Sequence, residues 1–449
     1  MVQNADRYAT LAVPRYTSYP TAPHFTGAIG PDTARRWLSE IAPGTPLSLY
    51  LHIPFCRSMC AYCGCHTKVT RSDEPIVDYA RHLALEIALV SGLMAEGQTV
   101  SAIHWGGGTP SLVPPESLRM LRRRLDMSFA MAPDMEHAME LDPRTVEDGL
   151  ADVLAEIGIN RASLGVQDID PTVQEAIGRP QPLEVVAEAA GALRRAGITA
   201  INMDLMYGLP LQGIAEVVRS VEAVADLGAT RVALFGYAHV PWFKKHQRLI
   251  DEAALPGTQE RQEQVDAAGE RLRALGYEPI GFDHFALPDD PMAVAAREGT
   301  LKRNFQGYTT DDAPALIGLG ASSIGKLPQG YLQNAPEPRA WKRSIISGEP
   351  ATLRGHAFIG DDRARADAIE ALLTGFAADL GAVARAHGLA PTHFDADLQG
   401  LDDLVADGLA ERDGRRVTIP LEARPFARIV AARFDSYLKA SEARHSVAV

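Results

Sequence analysis

The chain has 449 residues and a formal net charge of −13, with 46% hydrophobic and 22% charged residues. This length is too great for one small core, but it suits a barrel domain with a smaller unit attached. The acidic balance argues against nucleic acids and anionic membranes as partners, because both favour a broad basic surface. No apolar run approaches the roughly 20 residues of a membrane helix, and no signal peptide is recognisable. We therefore expect a cytoplasmic protein without membrane insertion.

The chain begins with a segment, residues 1–45, that precedes the first predicted strand. Its stretch "RYTSYPTAPHF" (15–25) is rich in aromatic residues, is interrupted by prolines and carries little charge. Prolines restrict the backbone toward extended conformations, and the composition argues against a disordered tail. We expect an N-terminal arm that covers the active site.

Residues 46–335 alternate between strand-like and helix-like segments. The strand-like segments are, in chain order, "LSLYLHIPF" (47–55), "VSAIHW", "MEHAMEL", "RASLGV", "AINMDLMYG" and "RVALFGY". Between them, helical periodicity is clearest at 76–95, 115–126, 183–196 and 214–227. Six alternations are typical of parallel βα units. The predicted fold class is therefore α/β, with a partial (β/α)6, TIM-like barrel.

Chemically distinctive residues follow or end five of the six predicted strands. They are the cysteine-rich stretch after the first strand, "GGGTP" after the second, Glu140 on the third, "VQD" after the fourth and "DLMYGLP" on the fifth. The carboxyl ends of parallel strands meet at one face of a barrel, where catalytic residues gather. This arrangement predicts an active site at that face.

All four cysteines lie in "CRSMCAYCGC", residues 56–65, which we call the cysteine loop. A structural zinc site is one interpretation, but zinc usually takes its ligands from two separated pairs, and Cys63 and Cys65 are separated only by Gly64. Three thiolates on one loop, Cys56, Cys60 and Cys63, suit an iron–sulfur cluster with one iron left open. The spacing therefore favours a cluster over zinc.

The stretch "GGGTPS" (106–111) does not match the fingerprints of common nucleotide sites. It is not G-x-G-x-x-G, and the chain has no G-x4-G-K-[ST], so NAD and ATP are not favoured. Glycines do let a backbone approach a ligand closely. Beside a cluster with an open iron, a small molecule with an amine and a carboxylate is a suitable ligand.

These motifs together resemble the radical S-adenosylmethionine superfamily and, more narrowly, the oxygen-independent coproporphyrinogen III oxidase family. The resemblance runs through "PRYTSYPTAPHF", "LYLHIPFCRSMCAYCGC", "WGGGTPS", "NMDLMYGLP", "GYAHVPW", "GFDHFALPDD", "REGTLKRNFQGYTT" and "FDSYLK". The superfamily signature alone is moderately specific. The first and the later stretches distinguish this family from its relatives.

The resemblance implies two cofactors and the residues that hold them. Cys56, Cys60 and Cys63 would ligate a [4Fe–4S] cluster, whose fourth iron would be chelated by S-adenosylmethionine. Some of the implied residues would hold a second molecule of S-adenosylmethionine near the first. The implied S-adenosylmethionine residues are Tyr50, Tyr62, Gly107, Gly108, Thr109, Glu140, Gln167, Arg179, Asp204, Ala238 and Ile324. Tyr62 departs mildly from the pattern, because many relatives have Phe there.

The chemistry of three of these residues agrees with the implied roles. Asp204 suits a ribose diol, Glu140 can pair with an ammonium group, and Arg179 can form two parallel hydrogen bonds with a carboxylate. Each also has an ordinary structural interpretation, since acidic residues at strand ends often cap loops and arginines are usually solvated.

The implied activity is the oxidative decarboxylation of two propionates of coproporphyrinogen III to vinyl groups through a 5′-deoxyadenosyl radical. The product would be protoporphyrinogen IX, in anaerobic haem biosynthesis. Cys65 matches a non-ligand cysteine that is important for activity in the family. In an extended C-x-C stretch, Cys63 and Cys65 would point to opposite sides, so we expect Cys65 to face the substrate cavity.

The propionates of the implied substrate need local cations in an acidic protein. Candidates are two short basic stretches that contain Lys244, Lys245, Arg248, Lys302 and Arg303. Runs of this kind are more often solvated surface. The protein is expected to be a monomer that uses an unidentified low-potential electron donor and an electron acceptor.

Residues 336–449 differ in character from the barrel. Helical stretches are predicted at 361–378, 379–387, 399–408 and 423–438, with a hairpin around Asp413-Gly414. We expect a mainly helical, winged-helix-like lid, and the net charge argues against DNA binding. The stretch 322–334 matches the family least and could alter the fit of the substrate.

Two other functions remain open. One is a haem-trafficking protein of the same superfamily, against which Cys65, the arm and "RNFQGYTT" count. The other is a radical S-adenosylmethionine methyltransferase that opens haem anaerobically. Because these relatives share the cluster motif, assays with the substrate separate them.

Overall fold

The computed structural model describes residues 7–8 and 11–438 of the chain. Six parallel strands stand side by side in chain order and form the predicted partial barrel. They are β1 (Pro46–Ile53), β2 (Thr99–Gly107), β3 (Ala130–Leu141), β4 (Arg161–Gln167), β5 (Ala200–Tyr207) and β6 (Arg231–Gly236). The α/β fold expected from the alternating pattern is confirmed.

Helices follow these strands and bury one face against them. They span Glu74–Leu93, Pro115–Ser128, Asp148–Glu156, Pro171–Ala176, Leu183–Arg195, Ile214–Asp226 and Thr258–Ala274. Three of them carry a proline in the first turn, where the missing N–H leaves no hydrogen bond unmade. The four helices predicted from periodicity are confirmed to within a few residues. Their apolar faces share one core with the strands.

Further strands extend the sheet at both edges to twelve strands. At the β1 edge, Ala315–Leu319 pairs in parallel, and an antiparallel series follows it, Ile324–Leu327, Gly330–Asn334 and Thr352–Ala357. At the β6 edge, His284–Ala286 and then Glu278–Ile280 continue the sheet. The divergent stretch 322–334 thus folds as antiparallel strands of the main sheet.

Smaller elements surround the barrel. Two short strand pairs join Phe55–Cys56 to Lys68–Val69 and Lys302–Asn304 to Gly307–Thr309. Three further helices span Pro31–Ser39, Pro291–Glu298 and Pro338–Ile346. Among the residues that the structure describes, no helix is both long enough and apolar enough to cross a membrane.

The C-terminal part is built from short helices and a small sheet. Its helices span Asp362–Thr374, Leu380–Ala386, Asp395–Gln399, Asp402–Ala406 and Ala427–Ala431. The predicted hairpin is confirmed, because Glu411–Asp413 pairs with Arg416–Thr418 through Gly414, whose φ is 56°. The strand Ala377–Asp379 adds to this hairpin and interrupts the helix predicted over 361–378.

The helical stretch predicted over 423–438 is confirmed only in part, since the helical turns end at Phe434 and most of them are not α-helical. A 3-10 turn over Leu421–Phe426 contains Pro425, and only Ala427–Ala431 is α-helical before a second 3-10 turn. Proline lacks the N–H that an α-helix needs at an interior position, so the helix begins after it. The domain limits 1–45, 46–335 and 336–449 stay predictions. Residues 1–6, 9–10 and 439–449 within them lie outside the described residues.

The N-terminal arm packs on the C-terminal part through tyrosines. The hydroxyl of Tyr8 donates to Asp407 Oδ2 at 2.6 Å, and that of Tyr16 donates to Asp435 Oδ2 at 3.0 Å. Tyr19 shares a 3.0 Å hydrogen bond with the hydroxyl of Ser436. The three tyrosine rings are buried in the hydrophobic core of the C-terminal part. The arm is therefore an ordered layer of the fold.

Candidate active site

The cysteine loop begins at the carboxyl end of β1, as expected. The Sγ of Cys56 accepts hydrogen bonds from Thr67 Oγ1 at 3.1 Å and from Thr109 Oγ1 at 3.3 Å. The Sγ of Cys60 lies 3.6 Å from Nη1 of Arg179. Polar groups from other segments therefore contact two of the proposed ligand sulfurs. Burial raises the pKa of the Cys56 thiol, and the hydrogen bonds from the two threonines oppose that rise.

A turn after β6 holds the other side of the cysteine loop by its backbone. Lys244 Nζ donates to the Cys65 carbonyl at 2.9 Å, and Gln247 Nε2 donates to the Tyr62 carbonyl at 2.9 Å. Between them, His246 Nε2 lies 2.7 Å from the Cys63 carbonyl oxygen. We call these three side chains the loop clamp. Lys244 was a candidate for binding propionates, and the structure instead places its ammonium on the cysteine loop.

A cavity of about 370 Å³ opens at the carboxyl ends of the strands, beside the cysteine loop. We call it the cysteine cavity. Most of the site residues implied by the sequence line it: Cys56, Cys60, Tyr62, Cys63, Cys65, Gly107, Gly108, Thr109, Glu140, Gln167, Arg179, Asp204 and Ala238. Residues far apart in the chain thus meet at the predicted face.

Two implied residues lie outside this lining. Tyr50, on β1, hydrogen-bonds His52 Nδ1 at 3.0 Å and stacks on His104 with ring centroids 6.0 Å apart. Ile324 begins the second strand of the edge extension, where its backbone packs against Gly318. Because Gly318 pairs with Tyr50 in the sheet, both residues belong to the β1 edge of the site.

Glu140 is held at the end of β3 by two donors. His104 Nε2 lies 3.1 Å from Oε1, and the Gly107 N–H donates to Oε2 at 3.1 Å. Burial alone would raise the pKa of Glu140, but the hydrogen bonds and charge of His104, with the Gly107 N–H, outweigh it and lower the pKa. Glu140 is therefore an oriented carboxylate.

Asp204 on β5 is a second buried carboxyl group in the cysteine cavity. It accepts hydrogen bonds from Ser163 Oγ at 3.0 Å and Asn202 Nδ2 at 2.7 Å. Burial, and next the negative charge of Glu140, raise the pKa of Asp204 to about 6, against the effect of these donors. The two carboxyl groups therefore differ in how readily they take up a proton.

Arg179 reaches the cysteine cavity from the loop after the helix Pro171–Ala176. Its Nη2 donates to the Gly165 carbonyl at 2.8 Å and lies 3.3 Å from Asp142 Oδ1. Asp142 also binds Arg144 through both carboxylate oxygens, at 2.9 and 2.6 Å. The side chain of Arg179 is only 9% exposed. Its position is therefore determined by a buried network.

The glycines after β2 are required by packing against the cysteine loop. Gly107 has φ 114°, and a Cβ there would lie 2.5 Å from the His52 ring. A Cβ on Gly108 would lie 2.5 Å from the Phe55 carbonyl oxygen. Any larger residue would therefore displace the chain on either side of the loop. Gln167, which is not glycine, also adopts a left-handed conformation, with φ 71°, at the end of β4.

The expected opposite orientation of Cys63 and Cys65 is wrong. A bend at Cys65 interrupts the extended conformation, and the Cys65 N–H donates to Cys63 Sγ at 3.4 Å. A hydrogen bond from the Cys65 thiol to Cys63 is the largest of the influences that lower the pKa of Cys63 to about 6. Both cysteines face the cysteine cavity.

Comparisons with known proteins agree with this geometry. The Radical SAM superfamily model matches residues 50–224. The chain is 47% identical to an oxygen-independent coproporphyrinogen III oxidase of Bradyrhizobium diazoefficiens over 98% of both chains. It is 44% identical to that of Paracoccus denitrificans, over 97% of this chain and 96% of the relative.

The structure also matches coproporphyrinogen III oxidase (HemN) from Escherichia coli, a radical SAM enzyme, with a TM-score of 0.90 and 37% identity. That match covers 94% of this chain and 97% of the other. The chain belongs to the oxygen-independent coproporphyrinogen III oxidase family.

Membership of this radical SAM family implies a [4Fe–4S] cluster and S-adenosylmethionine as cofactors. Among the described residues, no three His, Cys, Asp or Glu side chains are grouped so as to hold a metal ion. In a [4Fe–4S] cluster each cysteine binds a different iron, so three sulfurs around one cavity need not converge on a point. The arrangement fits a cluster better than structural zinc.

The polar groups of the cavity also fit a zwitterionic ligand. Within residues 11–438, the buried Arg179 Nε finds no hydrogen-bond partner, and neither does the Asn202 Oδ1 beside Asp204. Buried polar groups normally have partners, so unpaired ones at the edge of a cavity indicate a missing ligand. Arg179 suits the carboxylate of S-adenosylmethionine. Glu140 suits its ammonium group, and Asp204 suits its ribose.

Sequence reasoning missed several residues of this family site. Asp142 and His104 orient Arg179 and Glu140, and the loop clamp holds the backbone of the cysteine loop. Asp142 stands two residues beyond Glu140 in "ELDP", so its place at a strand end was a usable signal. The loop clamp carries no such signal, since its contacts lie 179 to 185 residues away in the chain.

Proposed function

We propose that this protein converts two propionate side chains of coproporphyrinogen III into vinyl groups without oxygen, giving protoporphyrinogen IX. The observation that carries the proposal is the similarity over nearly the whole chain to oxidases of that name. The cysteine cavity supports it, since it gathers all four cysteines, three carboxyl groups and the buried Arg179. Each propionate loses one hydrogen atom, one electron and carbon dioxide.

We assign Cys56, Cys60 and Cys63 as ligands of the cluster. When bound, the cluster and S-adenosylmethionine supply the electron and the hydrogen-atom abstraction that the reaction needs. The protein's own residues orient these groups and exclude water. The thiols accept hydrogen bonds from Thr67, Thr109 and Arg179, and the loop clamp fixes the backbone around them.

The remaining assignments follow the chemistry of each side chain. Arg179 binds the carboxylate of S-adenosylmethionine, Glu140 its ammonium group and Asp204 a ribose hydroxyl pair. The other proposed contacts are Tyr50, Tyr62, Gly107, Gly108, Thr109, Gln167, Ala238 and Ile324, and some of these residues serve a second molecule. Cys65 acts on the substrate side and is not a ligand. The protein works as a cytoplasmic monomer with a separate electron donor and acceptor.

Anaerobic turnover tests the proposal. The reconstituted protein, S-adenosylmethionine and a low-potential reductant should together convert coproporphyrinogen III to protoporphyrinogen IX. Cys60→Ala is the matched inactive control. Tight haem binding without decarboxylation would instead make the protein a haem-trafficking relative. Methyl transfer with opening of haem would make it a haem-degrading methyltransferase.

A further inference from the structure

A second, larger cavity of about 630 Å³ adjoins the cysteine cavity. We call it the large cavity. Its walls come from the end of β6, from the helix Thr258–Ala274, from residues 279–285 and from residues 421–428. The two cavities share Arg15, Phe235, Gly236, Tyr237 and Ala238. The volume lies within the range of about 300–1,000 Å³ that small-molecule sites occupy.

Five arginines from three separate parts of the chain line the large cavity, and one from each part is considered first. Arg15 comes from the arm, Arg261 from the helix Thr258–Ala274 and Arg428 from the C-terminal part. Arg15 Nη2 donates to the Gly236 carbonyl at 3.2 Å, and Arg261 Nη1 donates to the carbonyl of the next residue, Tyr237, at 2.9 Å. Two guanidinium groups are therefore anchored side by side at the end of β6.

The third guanidinium approaches from the other wall. Arg428 is only 8% exposed, and its Cζ lies 5.8 Å from the centre of the Phe282 ring. Arg303 lies over the same ring at 4.8 Å and donates through Nη2 to the Arg15 carbonyl at 3.3 Å. Burial, and next the nearby charge of Arg15, lower the pKa of Arg428 to about 10. Like charges are thus held together in a partly buried site.

Fewer carboxylates than arginines line the large cavity, three against five. Of the three that line it, Asp266 and Glu422 are exposed, and Asp283 Oδ1 lies 2.6 Å from its neighbour His284. Among the described residues, Arg15 and Arg303 form no ion pair with any carboxylate. In a chain with net charge −13, a local excess of cations is unexpected unless it serves an anion.

The wall between the cations is apolar. Leu234, Phe235, Phe282 and Phe285 all line the large cavity. Aromatic and aliphatic side chains suit the flat apolar part of a ligand, while arginines suit carboxylates through paired hydrogen bonds. The combination fits an apolar ring system that carries several carboxylates at its edge.

We propose that Arg15, Arg261 and Arg428 bind the propionates of the porphyrinogen that are not reacting, and that the reacting propionate extends into the cysteine cavity. This inference rests on the proposed function, because it takes the substrate class from it. The five shared residues form the passage between the two cavities. Since two different propionates react, the ring must be turned and bound again between the two decarboxylations.

None of the basic residues that the sequence suggested for this role lines either cavity. Lys245, Arg248 and Lys302 are exposed, and Lys244 belongs to the loop clamp. Arg303 is the nearest of them, since it contacts Phe282 and Arg15 at the edge of the large cavity.

The test compares two probes on anaerobically reconstituted protein. One is coproporphyrin III, the stable aromatic tetracarboxylate, and the other is its uncharged tetramethyl ester, both followed by fluorescence. The variants are Arg15→Gln, Arg261→Gln, Arg428→Gln and Arg428→Lys, with the exposed Arg385→Gln as the matched control. Turnover of coproporphyrinogen III and iron content are measured on the same samples.

Each glutamine variant should weaken binding of the acid about 10- to 100-fold, as expected for a lost charged hydrogen bond, and leave binding of the ester unchanged. Arg428→Lys should restore part of the loss, and Arg385→Gln should behave as wild type. Because Arg15 is exposed, Arg15→Gln keeps the test valid if a buried variant fails to fold.

If the glutamine variants lose binding of the acid and of the ester equally, or lose neither, the proposed carboxylate site is overturned. Normal turnover by the wild type would in that case leave the proposed function standing. A wild type that neither turns over coproporphyrinogen III nor prefers the acid would overturn both. Glutamine variants that release the monovinyl tricarboxylate intermediate would support the turning step.

Discussion

The imidazole Nε2 of His246 lies 2.7 Å from the carbonyl oxygen of Cys63, and so joins the turn after β6 to the cysteine loop after β1. Gln247 and Lys244 hold the carbonyls on either side of it. The loop that carries the proposed cluster ligands is therefore supported from across the barrel. Its shape depends on residues that are not ligands.

We expect His246→Ala to leave the cluster present but less firmly held. Loss of one hydrogen bond costs about 0.5–1.5 kcal/mol, which corresponds to at most about a tenfold change. Release of iron to an anaerobic chelator should accelerate by up to that factor. The adjacent exposed residue provides the control Lys245→Ala, and equal release rates in both variants would contradict the role of the loop clamp.

The four cysteines should separate into two classes. Cys56→Ala, Cys60→Ala and Cys63→Ala should each abolish the cluster, which wild type should carry with about four irons. Cys65→Ser should retain the iron and the spectral response to S-adenosylmethionine but lose turnover of coproporphyrinogen III. Iron and turnover are measured on one anaerobic sample. Loss of iron in Cys65→Ser would make Cys65 structural, and full turnover would make it dispensable.

Binding of S-adenosylmethionine should weaken as the pH falls below about 6. The pKa of Asp204 is raised to about 6, mainly by burial, so below that pH its carboxyl group is protonated and accepts hydrogen bonds poorly. Asp204→Asn should bind about 10- to 100-fold more weakly at pH 8 and lack this pH dependence. Calorimetry from pH 5.5 to 8 measures both effects, and identical curves for the two proteins would refute the ribose assignment.

Glu86 should make the fold less stable as the pH rises. Burial raises its pKa to about 7, although Gly320 N–H and Asn334 Nδ2 donate to it. The folded state therefore holds a proton that the unfolded chain loses near pH 4, and stability falls as the pH rises to about 7. For this group alone the loss between pH 6 and 8 is about 1 kcal/mol.

The variant Glu86→Gln should remove this dependence. Thermal midpoints at pH 6 and pH 8 should lie closer together in Glu86→Gln than in wild type. Glu188→Gln, on an exposed position of the helix Leu183–Arg195, is the control. A wild-type difference that persists in Glu86→Gln would show that other groups cause it.

Helical periodicity and the order of the strands predicted the barrel and the face on which its site lies. Periodicity located the barrel helices, and the strand ends located the cysteine loop, Glu140 and Asp204 at one face. The stretch 423–438 contains Pro425, and only Ala427–Ala431 after it is α-helical.

The rest of the site depends on contacts between segments far apart in the chain, which no local sequence pattern indicates. Arg15 and Arg428 are 413 residues apart in the chain and line one cavity. A basic run such as 244–248 is conspicuous in the sequence, yet the arginines that line the large cavity come from other, unrelated segments. The spacing of the cysteines likewise does not indicate the bend at Cys65, which donates its N–H to Cys63 and accepts a hydrogen bond from Lys244 in another segment.

The tyrosines of the arm have a consequence for the order in which the protein is made. Tyr19 pairs with Ser436, 417 residues later, so the arm leaves the ribosome long before its binding site exists. At about 5–20 residues per second, that wait is on the order of 20 to 80 seconds. Arg15 likewise contacts Gly236 and Arg303, which follow it by 221 and 288 residues. The barrel can therefore form early, while the wall of the large cavity that residues 421–428 build is added late in synthesis.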